Sequence, residues 1–118
     1  MKVYGISNCN TVKKAIEWLK EHNVQFEFDD FKKVGITPNK LNEWIKIVGW
    51  EKLVNKKGTT WRMLSETVKK TILEQQSAIE LMVEKPSVIK RPVIEVKGKL
   101  VIGFDEPEYK KLFLSSQK

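Results

Sequence analysis

Residues 3–19 constrain the fold more than any other stretch, because the spacing of apolar residues changes there from a strand's to a helix's. Val3-Tyr4-Gly5-Ile6 is a short strand-like run and Ser7-Asn8 is turn chemistry. From Val12 the apolar residues fall at Val12, Ala15, Ile16 and Leu19, the i, i+3, i+4, i+7 spacing of a helix with one buried face. Cys9 lies at the junction, in the loop that enters the first helical turn. Backbone N–H groups without helical partners gather at such a point, and the macrodipole is positive there. Both favour a thiolate, and Lys13 and Lys14 are expected to push the same way. The thiolate is the nucleophilic form, so Cys9 is a candidate catalytic residue. Placement alone leaves a second reading open, that of a small buried hydrophobe. The polar neighbours Ser7, Asn8, Asn10 and Thr11 keep Cys9 off the apolar stripe.

The first helix is expected to end near His22-Asn23, with Asn23 in a left-handed cap and His22 as a cation near the last carbonyls. Val24 to Asp29, where Phe26 and Phe28 alternate with polar residues, reads as a strand. A helical crossover between two such strands makes them parallel. Gly35-Ile36-Thr37-Pro38 then starts a helix, with Thr37 as N-cap, Leu41, Trp44, Ile45 and Val48 inward, and Gly49 as its stop. Trp50 to Val54 is one further turn, and Asn55-Lys56-Lys57-Gly58 is a loop. Ser65 opens another helix with Val68 and Ile72 inward. Ser77-x-x-Glu80 reads as a capping box ahead of Ile79, Met82 and Val83, until Pro86. Strand character returns in Val93–Val96 and Leu100–Ile102, joined antiparallel through Lys97-Gly98. Asp105-x-x-Glu108 resembles a second capping box, with Tyr109, Leu112 and Phe113 facing inward.

At 118 residues, one α/β domain is expected, able to bury roughly two-thirds of its unfolded surface without staples. No apolar run approaches the ~20 residues of a membrane span, and Gly5, Ser7 and Asn8 interrupt any signal-peptide core. A single cysteine permits no internal disulfide, which suits a reducing cytosol, and one Cys with one His cannot make a structural zinc site. No metal site is expected. The net charge of +7 is spread as lysines along the whole chain. It carries no recognition motif for nucleic acid and fits an anionic small substrate equally well.

The order β-α-β, helical block, β-β-α, with a cysteine at the start of the first helix and a proline entering the third strand, resembles thioredoxin and glutaredoxin. The helical block between the halves resembles one branch, the arsenate reductase/Spx family. The likeness covers essentially the whole chain. It rests on Tyr4-Gly5-Ile6-Ser7-Asn8-Cys9-Asn10-Thr11-Val12-Lys13-Lys14-Ala15, Asn55-Lys56-Lys57-Gly58-Thr59-Thr60-Trp61-Arg62, Ile89-Lys90-Arg91-Pro92-Val93 and Val101-Ile102-Gly103-Phe104. These look most like the small YffB-type subgroup of glutathione-dependent thiol reductases or arsenate reductases. The resemblance implies a thioredoxin-like mixed sheet, with a core of about residues 1–34 and 86–118 and a helical insertion of about 35–85. It further implies that Cys9 is the nucleophile, that Arg91 sits beside it to pair with an oxyanion or a glutathione carboxylate, and that Pro92 is the cis-proline at which a second sulfur docks. Asn8, Asn10 and Thr11 would help stabilise the sulfur anion and any bound oxyanion.

Two departures from the family pattern matter. Arsenate reductases linked to glutaredoxin place three arginines around the oxyanion, whereas here the first falls near Asn55 and the third near Gly103, leaving Arg91. Lys56, Lys57 and Arg62 are candidates to replace the missing charge. Spx members often carry Cys-x-x-Cys, whereas Val12 holds the second position here. That leaves a one-thiol centre, resolved by an external thiol. The resemblance therefore implies a cytoplasmic monomer with no bound cofactor. Glutathione would be its co-substrate, and glutaredoxin a further partner. The alternatives are an Spx-like regulator that binds RNA polymerase and a catalytically inactive family member.

Overall fold

The computed structural model describes residues 1–114; the last four residues of the expected core segment 86–118 lie outside the described residues. Contacts divide the chain into two units, Met1–Asp29 together with the chain from Arg91 onward, and Asp30–Lys90.

The first unit is built on strands β1 (Lys2–Gly5), β2 (Glu27–Asp30), β3 (Val93–Val96) and β4 (Lys99–Ile102), in the order β2-β1-β3-β4. β3 runs antiparallel to β1 and β4, pairing Val3 with Ile94 and Ile94 with Val101. The sheet is mixed, so β2 lies parallel to β1 as the helical crossover requires. Helix α1 (Asn10–Glu21) buries Val12, Ala15, Trp18 and Leu19. Its stop is complete: Asn23 takes φ +57, its N–H donates to Lys20 O, and the Val24 N–H donates to Leu19 O. That pair of bonds is the Schellman arrangement. His22 contacts the Trp18 carbonyl through Nδ1 at 2.8 Å and stacks on the Trp18 ring.

This cap corrects the expected second strand. The Val24 N–H is committed to the helix end, so pairing starts only at Glu27, whose N–H donates to Met1 O. Lys97 and Gly98 both have positive φ, +46 and +78, the two-residue turn that matches strand twist. One cluster, made of Val3, Ala15, Trp18, Leu19, Ile94, Val101, Tyr109 and Phe113, forms the core between this sheet face and the helices that cover it.

The second unit is helical. Its elements are α2 (Phe31–Val34), α3 (Pro38–Val48), α4 (Trp50–Leu53), α5 (Thr59–Arg62), α6 (Glu66–Thr71), α7 (Gln75–Glu84) and a 3-10 turn at Pro86–Val88. The Thr37 hydroxyl accepts from Lys40 N–H at 3.1 Å with Pro38 at the first helical position, and Gly49 ends α3 at φ +85. Leu41, Trp44, Leu53, Ile72, Ile79, Met82 and Ile89 are buried. Two expectations are corrected here. Helix α7 begins at Gln75, with Ser77 as its third residue, because the Ser77 hydroxyl accepts from Glu74 N–H at 3.4 Å and donates to Glu74 O at 3.0 Å. Val68 and Val83 are exposed, and Ala78 and Leu81 take the inward positions on α7. The turn Phe31–Val34, capped by the Asp30 carboxylate on the N–H groups of Lys32 and Lys33, is additional.

In the first unit the chain closes with α8 (Glu106–Tyr109), which continues into π-helical turns at Lys110–Leu114. Asp105 precedes it without a side-chain capping bond, so the expected capping box is not made. Tyr109 and Phe113 are buried as expected. Among the described residues, no helix is long and apolar enough to cross a membrane.

Candidate active site

Gly5 ends β1 where the chain must pass close under α1. A Cβ at Gly5 would lie 2.9 and 3.1 Å from the two γ-methyls of Val12, so only glycine allows this approach. The turn then closes through Cys9 N–H to Ile6 O at 3.1 Å, and Cys9 O accepts the first helical bond from Lys13 N–H at 3.0 Å. Cys9 is thus the N-cap of α1, at φ −96 and ψ 126, and is half-buried. At this position a side-chain acceptor meets the N–H groups of the second and third helical residues, Thr11 and Val12.

The electrostatics follow. Burial raises the thiol pKa. The Val12 N–H, the hydrogen bond from Arg91, the Thr11 N–H and the Arg91 charge together outweigh it, so the thiol sits below its usual value. This corrects the expected source of charge. Lys13 and Lys14 are exposed on α1, and the cation acting on Cys9 is Arg91. Val12 was readable only as a core residue. Its contribution comes from backbone that any side chain would carry.

Arg91 is half-buried, with its Nε buried, and its peptide bond to Pro92 is cis, the isomer the resemblance implies. Pro92 is buried, and its carbonyl accepts from Gly103 N–H at 2.8 Å. Cys9, Arg91 and the N–H groups of Thr11 and Val12 therefore form one constellation. The side chains of Asn8, Asn10 and Thr11 are exposed around it. Lys56, Lys57 and Arg62 belong to the helical unit. There Lys56 Nζ lies 5.5 Å from the Trp61 ring centroid and 6.0 Å from that of Trp50. Among the described residues, no group of three or more His, Cys, Asp or Glu side chains could hold a metal ion. The chemistry open to this arrangement is that of an activated single thiolate beside a guanidinium, suited to attack on sulfur or on an oxyanion centre.

Comparison with known proteins places the whole chain among relatives. The sequence profile of the ArsC family matches residues 4–112. An uncharacterized protein of Haemophilus influenzae is 46% identical over 111 residues, spanning 94% of this chain and 96% of the relative. The global transcriptional regulator Spx of Streptococcus agalactiae is 30% identical over 106 residues, 86% of this chain and 74% of that protein. Among solved structures, a protein named YFFB is similar at a TM-score of 0.87 and 44% identity, covering 93% of this chain and 96% of its own. An arsenate reductase related protein from Brucella melitensis is similar at a TM-score of 0.76 and 44% identity, covering 96% and 93%.

Proposed function

This chain belongs to the ArsC family, and from that premise we propose that it is a glutathione-dependent thiol reductase working through Cys9 alone. The observation that carries the reading is the position of Cys9 at the N-cap of α1, with Arg91 and the Val12 and Thr11 N–H groups favouring its thiolate.

In the proposed cycle the Cys9 thiolate attacks the glutathione sulfur of a mixed disulfide. The old S–S bond breaks, the freed substrate thiolate takes a proton from solvent, and a Cys9–glutathione disulfide forms. A second glutathione thiolate attacks the glutathione sulfur of that disulfide. Oxidised glutathione leaves and the Cys9 thiolate returns, ready for another turn. Oxidation and reduction balance: one glutathione thiol is consumed for each mixed disulfide reduced, and its sulfur leaves joined to the glutathione already in that disulfide. Arg91 guides a glutathione carboxylate by charge-assisted hydrogen bonds, and Pro92 borders the place where the partner sulfur docks.

Thiol exchange is proposed to exceed arsenate reduction. Arsenate is strongly hydrated, and stripping its water requires several fixed donors. Where a full oxyanion site has three family arginines, this chain has Arg91. Losing two charge-assisted hydrogen bonds costs on the order of 3–6 kcal/mol of transition-state binding, roughly two to four orders of magnitude in rate. Paired assays on one preparation, with a glutathione mixed disulfide and with arsenate, test this alongside Cys9→Ser and Arg91→Ala. Disulfide turnover that needs both residues is expected. Arsenate turnover equal to it would overturn the ranking and require cations besides Arg91. The likeness to Spx favours a second reading, a regulator that acts by binding RNA polymerase. Its mark would be polymerase binding that survives Cys9→Ser, with no disulfide turnover.

A further inference from the structure

Tyr109 is fully buried, with ring centroids 5.4 Å from Trp18, 5.0 Å from Phe104 and 5.4 Å from Phe113, each pair close to edge-to-face. Aromatic packing accounts for the ring, and a phenylalanine would pack as well. It does not account for the hydroxyl, which donates to the Gly103 carbonyl at 2.7 Å. Burial, with Glu108 adding to it, holds this phenol well above its ordinary range, so it remains a protonated donor at any working pH.

Gly103 stands at φ +83 directly after β4. A glycine there has wide backbone freedom, so the turn needs an outside tether to keep one geometry. The Tyr109 hydroxyl ties its carbonyl, and its N–H donates to Pro92 O at 2.8 Å. One residue earlier is Arg91, whose side chain helps hold the Cys9 pKa down. Two short hydrogen bonds thus join a core phenol to the segment that carries the site's cation.

We propose that Tyr109 is a positioning residue for the thiol site: its hydroxyl fixes the Gly103 turn, and Gly103 in turn fixes Arg91–Pro92 against Cys9. The inference rests on the thiol chemistry proposed above, but it concerns how Arg91 is held and is tested without turnover. Tyr109→Phe keeps the ring and removes the tether. The readout is the rate of Cys9 alkylation by iodoacetamide across pH, with Phe113→Leu as a variant that loses packing and no hydrogen bond.

In Tyr109→Phe the rate near neutral pH is expected to fall roughly two- to tenfold, the worth of one neutral hydrogen bond, and the midpoint to move upward. Adding Arg91→Ala to Tyr109→Phe should then cost less than it does in the parent, because both changes act on one contact. Phe113→Leu is expected to lower the melting temperature and leave the midpoint in place. An unchanged midpoint in Tyr109→Phe, additive effects with Arg91→Ala, or an equal midpoint shift in Phe113→Leu would each overturn the inference. Should Tyr109→Phe fail to fold, Gly103→Ala strains the same turn and is read in the same way. If the parent's own Cys9 behaves as a free thiol, the proposed function fails; an activated parent with unchanged Tyr109→Phe removes only the positioning role.

Discussion

Replacing Arg91 with alanine isolates the charge on which the site depends. The Arg91 guanidinium lowers the Cys9 pKa by side-chain hydrogen bonding and by its charge, against a burial cost that raises the thiol. A hydrogen bond to a charged group is worth about 1.5–3 kcal/mol. Cys9 and Arg91 are each half-buried, so solvent screens part of that and the lower end applies. About 1.5 kcal/mol less thiolate stabilisation lowers the reactive fraction near neutral pH roughly tenfold. The assay is the pseudo-first-order rate of iodoacetamide alkylation from acid to alkaline pH. Arg91→Ala should react about tenfold more slowly near neutrality and converge on the parent above the ordinary thiol range, where both are ionised. Lys13→Gln with Lys14→Gln should leave the curve in place, since both lysines are exposed. An unchanged curve in Arg91→Ala, or a shifted one in the lysine variant, would refute the assignment of the charge to Arg91.

Stability should carry the same signature. The folded Cys9 pKa is depressed, so between that value and the ordinary 9.0 the unfolded chain binds more protons. The parent should therefore gain stability over Cys9→Ser as pH rises through that window, and the gain should vanish as pH falls through the folded value. Melting temperatures of the two proteins against pH check the sign. Gly5→Ala should cost about 1–3 kcal/mol, because its Cβ would press on a stiff, buried Val12 at 2.9 Å. It should also disturb alkylation, since Val12 lies in the first turn that Cys9 caps. Thr37→Ala removes the hydroxyl that caps α3 and should cost about 1 kcal/mol in denaturant melts without moving the Cys9 midpoint.

Elements whose ends are marked by side chains were legible from the sequence. The stop of α1 at Asn23, the Thr37-Pro38 start of α3 and Gly98 in the hairpin turn each have a residue type suited to the backbone found there. Errors came where the choice of hydrogen-bond partner, which residue spacing does not reveal, decided the outcome. Helix α1 takes the Val24 N–H that an earlier strand start would have needed, and Ser77 closes a capping box from the third position of α7, with Glu74 rather than Ser77 as the N-cap. Val68 and Val83 fit the inward period yet are exposed, because periodicity tells which face a residue shares and not how far the neighbouring helix covers it. At the site, Cys9 was legible from a local pattern. Arg91 came only through the family likeness, because its partner is distant in sequence and no spacing rule joins the two. Lys13 and Lys14 misled for the opposite reason: closeness along the chain does not aim a flexible side chain at the sulfur.

The most direct test of the account is intact mass spectrometry of the native protein after a brief exposure to oxidised glutathione, followed by a chase with reduced glutathione. The account predicts one glutathione adduct, formed faster near neutral pH than on the urea-unfolded chain and absent in Cys9→Ser. The chase should then remove it. An adduct that forms no faster than on the unfolded chain, or that the chase leaves in place, would contradict the claim that Cys9 is an activated thiol exchanging with glutathione.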